Sequence, residues 1–134
     1  MSTEADKAIV LRLMEEYFNN QNEAVWDELA HPEVVIHGVS TLHGASEAKA
    51  FFARLHESLQ PWHVTVEDVI AEGDKVVVRL TESGTMVGPW LGRAPTGKSF
   101  QLGAVQICRL AGGRLVEMWG FRDTGSMMRQ LGLA

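Results

Sequence analysis

Residues 99–121 read SFQLGAVQICRLAGGRLVEMWGF. Two β-prone runs, Ser99 to Leu110 and Leu115 to Phe121, flank Ala-Gly-Gly-Arg, and a Gly-Gly pair suits the positive φ of a two-residue hairpin turn. With Gly112-Gly113 as that turn, Ala111 faces Arg114, and counting away from it sets Gln106 opposite Trp119, Ala104 opposite Phe121 and Leu102 opposite Asp123. One face then holds Gln106, Trp119, Phe121 and Asp123. The other carries Val105, Ile107 and Met118, with Arg109 and Arg122. Neither face is a clean polar row, so both are expected to be covered. The first is read as the wall of a pocket, the second as a surface meeting another copy of the chain.

Upstream of this hairpin lies another. Trp62 to Ala71 and Lys75 to Val87 are β-branched runs joined by Glu-Gly-Asp-Lys. Between the hairpins, Gly88 to Gly97 is too rich in Gly and Pro for a strand. The period changes towards the N-terminus. Thr3 with Asp6 reads as a capping box, and Ile9, Leu13 and Tyr17 repeat at helical spacing until the polar run Asn19 to Asn22. Asn22 is placed to cap a short second helix carrying Val25, Trp26 and Leu29 up to His31-Pro32. Glu33 to His37 reads as a strand, Gly38 to Gly44 as a loop, and Ala48, Phe51, Phe52, Leu55 and Leu59 as one face of a third helix ending before Pro61. A last short helix is expected near Ser126 to Leu131. Helices first and an antiparallel meander afterwards give an α+β class, N-terminal helices packed into a strongly curved sheet, as one domain over 1–134.

Composition narrows the partners. The chain has 134 residues, 46% hydrophobic and 22% charged, within the ordinary globular range. Its formal net charge is −5 with scattered cations, which argues against a nucleic-acid partner. The first residues lack the basic-then-apolar order of a signal peptide, and no apolar run approaches the roughly 18 residues of a membrane span. A cytoplasmic protein without a membrane partner is expected. A lone cysteine, Cys108, excludes an intrachain disulfide. His37, His43 and His63 show no metal-ligand spacing, so no metal is expected.

Within the pocket reading, Asp123 stands among Leu102, Phe121 and Trp119, a dry setting that suits a carboxylate for proton transfer. Its rival role is the N-cap of the helix that begins after it, before Thr124-Gly125-Ser126. Gln106 is a neutral donor suited to a substrate carbonyl. Tyr17 has either a core role or a hydroxyl in the pocket, His37 either a structural hydrogen bond or substrate orientation, and Trp90 either anchors its loop or covers a flat apolar ligand. Trp119 and Phe121 are read as packing against substrate rings.

Several segments carry a resemblance running almost end to end: Glu16 to Asn22 leading into Trp26 and Leu29, Val35-Ile36-His37-Gly38, Val66 to Arg79, Gly92 to Lys98, and Gly113 to Trp119 with Asp123 and Gln130-Leu131-Gly132. Here the chain resembles the polyketide cyclase (SnoaL-like) family of the nuclear-transport-factor-2-like fold. The resemblance implies a cone of sheet over three N-terminal helices, a homodimer through the sheet, and a hydrophobic cavity. It also implies intramolecular aldol cyclisation of a hydrophobic carbonyl compound without metal or cofactor. The family's acid/base aspartate falls on Asp123. Arg93-Ala94 departs from the family's usual apolar pair and puts a charge in the loop near the cavity. Isomerisation, epoxide hydrolysis and non-catalytic binding of a hydrophobic ligand are alternatives on the same scaffold.

Overall fold

The structure is a computed structural model describing residues 2–134. Helix α1 spans Thr3–Arg12 and continues as a π-helical segment, Leu13–Asn19. The wider turn puts Leu13, Met14, Tyr17 and Phe18 all in the core. The α1 cap is one residue earlier than expected: Ser2, not Thr3, accepts from the Ala5 N–H at 3.1 Å. Asn22 caps α2, Glu23–Leu29, as its sequence position predicts.

Strand β1, Ala30–His37, begins earlier than Glu33, with the chain extended through Pro32 where the register with its neighbour slips. The expected loop contains a short strand β2, Thr41–His43, before helix α3, Ala45–Ser58. The two hairpins follow as β3 (His63–Glu72), β4 (Lys75–Thr85), β5 (Ser99–Ala111) and β6 (Arg114–Arg122), and α4 (Thr124–Leu131) closes the chain. The sheet order is β2-β1-β6-β5-β4-β3. It is mixed rather than purely antiparallel, because β1 lies parallel to β6. A parallel neighbour needs a long connection, and everything from β2 to β5 supplies it.

Four helices thus pack against a six-stranded sheet. On the face towards the helices, β4 buries Val76, Val78, Leu80 and Glu82, and β5 buries Leu102, Ala104, Gln106 and Cys108. Specific bonds fix the helices to each other and to the sheet. Both ring nitrogens of His56 reach carbonyls, Phe52 O at 2.8 Å and Phe18 O at 2.7 Å. Asn19 pairs through its amide with the backbone of Val64, and Trp26 donates to Ala45 O at 3.0 Å.

The β5–β6 turn is as expected, with Gly112 and Gly113 at φ 58 and 79 and Ala111 opposite Arg114. Beyond it the sequence-derived register is one residue out. A bulge falls between Arg109 and Leu110 on the ladder, where Leu110 pairs with Leu115 but Arg109 pairs with Glu117. The extra residue on β6 moves every later partner, so Gln106 faces Gly120, and Ala104 faces Arg122. Side chains alternate strictly, so that slip exchanges the two faces of β6. Met118, Gly120 and Arg122 turn towards the helices with Gln106; Glu117, Trp119 and Phe121 turn outwards with Val105 and Ile107.

Candidate functional site

A cavity of about 150 Å³ lies between α3, the inner face of the sheet and the loop that joins β4 to β5. Phe51, Phe52 and Leu55 of α3 make its apolar wall, Met127 of α4 closes one end, and Val39 and Leu91 stand at its mouth. Trp90 packs against Phe51 with ring centroids 5.9 Å apart, so the loop covers the cavity. The base of that loop is fastened to the end of α3. Val87 and Gly88 donate to Ser58 O, and the Ser58 hydroxyl donates to Pro89 O at 2.6 Å.

Three polar side chains come from the sheet into this apolar space: Glu82 of β4, Gln106 of β5 and Arg122 of β6. Glu82 is 1% exposed. Arg122 reaches it across β5, passing the small Ala104 opposite it, and forms a two-point ion pair: Nε to Oε1 at 2.8 Å and Nη2 to Oε2 at 3.1 Å. Planar guanidinium and carboxylate match in this fork, and Nη1 takes no part in it. Arg122 is half-buried, but taking the Glu82 charge from water is expensive, so the pair is a poor choice for stability alone. Gln106 is 4% exposed, and its Oε1 has no hydrogen-bond partner among the described residues.

The residues expected from the sequence are distributed differently. Gln106 and Trp90 line the cavity. Asp123 does not. It is exposed, and its Oδ1 accepts from Ser126 N at 2.9 Å as the N-cap of α4. The expected face shared by Asp123, Trp119, Phe121 and Gln106 is undone by the β6 bulge, which leaves only Gln106 inside. Trp119 and Phe121 lie on the outer face, Phe121 57% exposed. Tyr17 is a core residue stacked on Trp26 at 4.8 Å, and burial raises its hydroxyl pKa well above the ordinary tyrosine value.

His37 borders the mouth, but its ring is engaged outside the cavity. It stacks on Trp119 with centroids 5.3 Å apart, and its Nε2 lies 2.7 Å from Glu117 Oε2. Arg109 donates to the other Glu117 oxygen. His37 foremost, and Arg109 after it, hold the Glu117 carboxyl below the usual carboxylate range. Cys108 is wholly buried under the sheet, and desolvation pushes its thiol up to about 12. Among the described residues no group of three or more His, Cys, Asp or Glu is arranged to hold a metal, and no helix is long and apolar enough to cross a membrane.

Two of the three polar lining groups were missed in the sequence. Glu82 had a readable signal: it occupies the same phase as Val76, Val78 and Leu80, so alternation alone sends it inwards. Arg122 had none, because its side depends on the bulge.

The family model for the SnoaL-like polyketide cyclase matches residues 8–131. The chain belongs to the SnoaL-like polyketide cyclase family. TsrD from Streptomyces laurentii is similar to it in structure, with a TM-score of 0.90 and 26% identity over 100% of this chain and 99% of that one. A protein from Jannaschia sp. CCS1 described as a SnoaL-like polyketide cyclase also has a TM-score of 0.90, at 32% identity over 98% and 94% of the two chains. A Catenulispora acidiphila protein of ketosteroid isomerase-like fold, 18% identical over 94% of this chain and 93% of its own with a TM-score of 0.79, shares the fold. No curated protein matches the chain. For this SnoaL-like chain, the family's scaffold is that of small-molecule enzymes.

Proposed function

We propose that this SnoaL-like protein carries out acid/base chemistry on a hydrophobic carbonyl compound, with Glu82 moving the proton and Arg122 holding the oxygen. The observation behind this reading is the ion pair set into the inner wall of a mainly apolar cavity. Glu82 takes a proton from the carbon next to the substrate carbonyl. The carbonyl oxygen gains the negative charge as an enolate, and the unpaired Nη1 of Arg122 donates to it. In an aldol-type closure the enolate carbon then attacks a second carbonyl of the same molecule. One C–C bond forms, and the second carbonyl oxygen takes the proton back from Glu82 as a hydroxyl. Substrate and product are isomers. Returning the proton to a different carbon is isomerisation by the same groups.

This reading moves the acid/base role from Asp123 to Glu82, because Asp123 is spent on capping α4 outside the cavity. A second copy of the chain is assigned to the outer sheet face, where Val105, Ile107, Trp119 and Phe121 form an apolar stripe. Met118, expected in that stripe, is buried on the other side.

The test does not require the natural substrate. Apolar ketones and esters are screened by thermal shift, and those that bind are incubated in D2O while NMR follows loss of the protons next to the carbonyl. Wild type is expected to accelerate this exchange, and Glu82→Gln to lose about 100-fold or more of the acceleration. Exchange at wild-type rate in folded Glu82→Gln would overturn the assignment.

A further inference from the structure

The ring of His56 has more acceptors beside it than a neutral imidazole can serve. His56 is 6% exposed in the last turn of α3. Its Nδ1 lies 2.8 Å from Phe52 O, one turn back on α3, and its Nε2 lies 2.7 Å from Phe18 O near the end of the π-helical segment. A carbonyl oxygen accepts and never donates, and a neutral imidazole carries one N–H. In either tautomer a bare nitrogen would therefore face an oxygen lone pair at hydrogen-bond distance. With both nitrogens protonated, both contacts are hydrogen bonds. Phe18 O is left for this role, because the backbone N–H groups of Asn20, Gln21 and Asn22 donate to Glu15, Tyr17 and Glu16. The ring also sits at the C-terminal ends of two helical segments, where aligned peptide dipoles favour a cation. Trp62 stands at 86° to it with centroids 5.3 Å apart, within the range at which an aromatic ring attracts a cation. Other titratable groups stand clear. On the π-helical segment Glu15 is exposed, Glu16 pairs with Arg12 and Tyr17 stacks on Trp26. On α3 Arg54 and Glu57 are exposed, as is His63 beyond Trp62, and Glu82 on the sheet is held by Arg122.

We infer that His56 is a buried imidazolium that clamps α3 to the π-helical segment, so that the cavity wall is firm while the proton is held and slackens when it leaves. The neighbouring residues carry the effect to the cavity. Phe52 and Leu55, which line it, lie on the turn of α3 that ends at His56. Phe18 packs against Phe52 at 4.9 Å and against Trp62, another lining residue, at 6.1 Å. Losing the proton turns one hydrogen bond into an unpaired buried acceptor against a second acceptor, and parting α3 from the segment relieves it. The clamp acts whatever the cavity binds.

Two-bond 1H–15N spectra of the wild type test this, because an imidazolium shows its two nitrogens at like shifts and a neutral ring shows them far apart. At about pH 7.5, where an ordinary histidine of pKa about 6.5 is mostly neutral, the His56 nitrogens are expected to stay alike. Folding then retains a proton that the unfolded chain releases. The stability it contributes is whole in acid and is lost as the pH rises from about 6 to about 9, so wild type loses more over that range than His56→Gln in chemical denaturation. Hydrogen-exchange protection of the α3 amides falls in wild type over the same range. Widely split His56 nitrogens in folded wild type at about pH 7.5 overturn the inference. So does an equal loss of stability in wild type and His56→Gln. Unchanged α3 protection as the proton leaves overturns the link to the cavity wall. The wild-type spectrum and exchange decide the matter even where His56→Gln does not fold.

Discussion

In the function proposed above, Asp123 and Glu82 divide between them two roles that the sequence offered to Asp123 alone. A carboxylate two residues before Gly125 and three before Ser126 is well placed to accept from the backbone of a starting helix, and it does. Its removal is therefore a stability change: Asp123→Ala should cost about 1 kcal/mol in chemical denaturation, and Asp123→Asn, an equally good cap, almost nothing. A loss of several kcal/mol in Asp123→Asn would mean that its charge has another partner. Cys108 makes the opposite kind of prediction. Its thiol is fully buried and raised to about 12, so in native protein at pH 8 it should resist a thiol reagent such as Ellman's and react on unfolding. Rapid labelling of the folded chain would show that the sheet opens there.

At the scale of elements, the helices and hairpins were legible because their signals are local. Period and caps located the cores of α1, α2 and α3, and Gly112-Gly113 fixed the β5–β6 turn. The long-range features were not. The parallel pairing of β1 with β6 joins residues far apart in sequence, and the bulge on β6 depends on how that strand bends between two neighbours. One unpaired residue reversed the assignment of Trp119, Phe121, Asp123 and Arg122, which is why the fold was readable while the inward turn of Arg122 was not. Glycines on the strands test the same packing. Gly84 lies beneath the end of α3, where a Cβ would sit 2.6 Å from Leu59 O and 3.0 Å from the Phe100 ring; Gly103 has nothing within 4 Å. Gly84→Ala should cost about 3 kcal/mol and lower the melting temperature by about ten degrees. Gly103→Ala should leave stability unchanged or raise it by up to about 1 kcal/mol. Equal effects would mean that α3 does not press on β4 as described.

The molecule as a whole has two apolar regions, one inside and one outside. Inside, helices and sheet enclose an apolar cavity with one ion pair and one open amide. Outside, Phe121, Trp119, Val105 and Ile107 carry the stripe assigned to a second copy, and Phe121→Glu with Ile107→Glu should shift sedimentation from dimer to monomer without abolishing ligand binding in the cavity. A wild-type monomer at micromolar concentration would remove that assignment. Which carboxylate moves the proton is separated by one measurement: the rate of deuterium uptake next to the carbonyl of a bound ketone in Glu82→Gln and in Asp123→Asn, compared side by side. The prediction is a fall of about 100-fold or more for Glu82→Gln and a rate within about twofold of wild type for Asp123→Asn. The reverse order, with Asp123→Asn inactive and Glu82→Gln unimpaired, would contradict it.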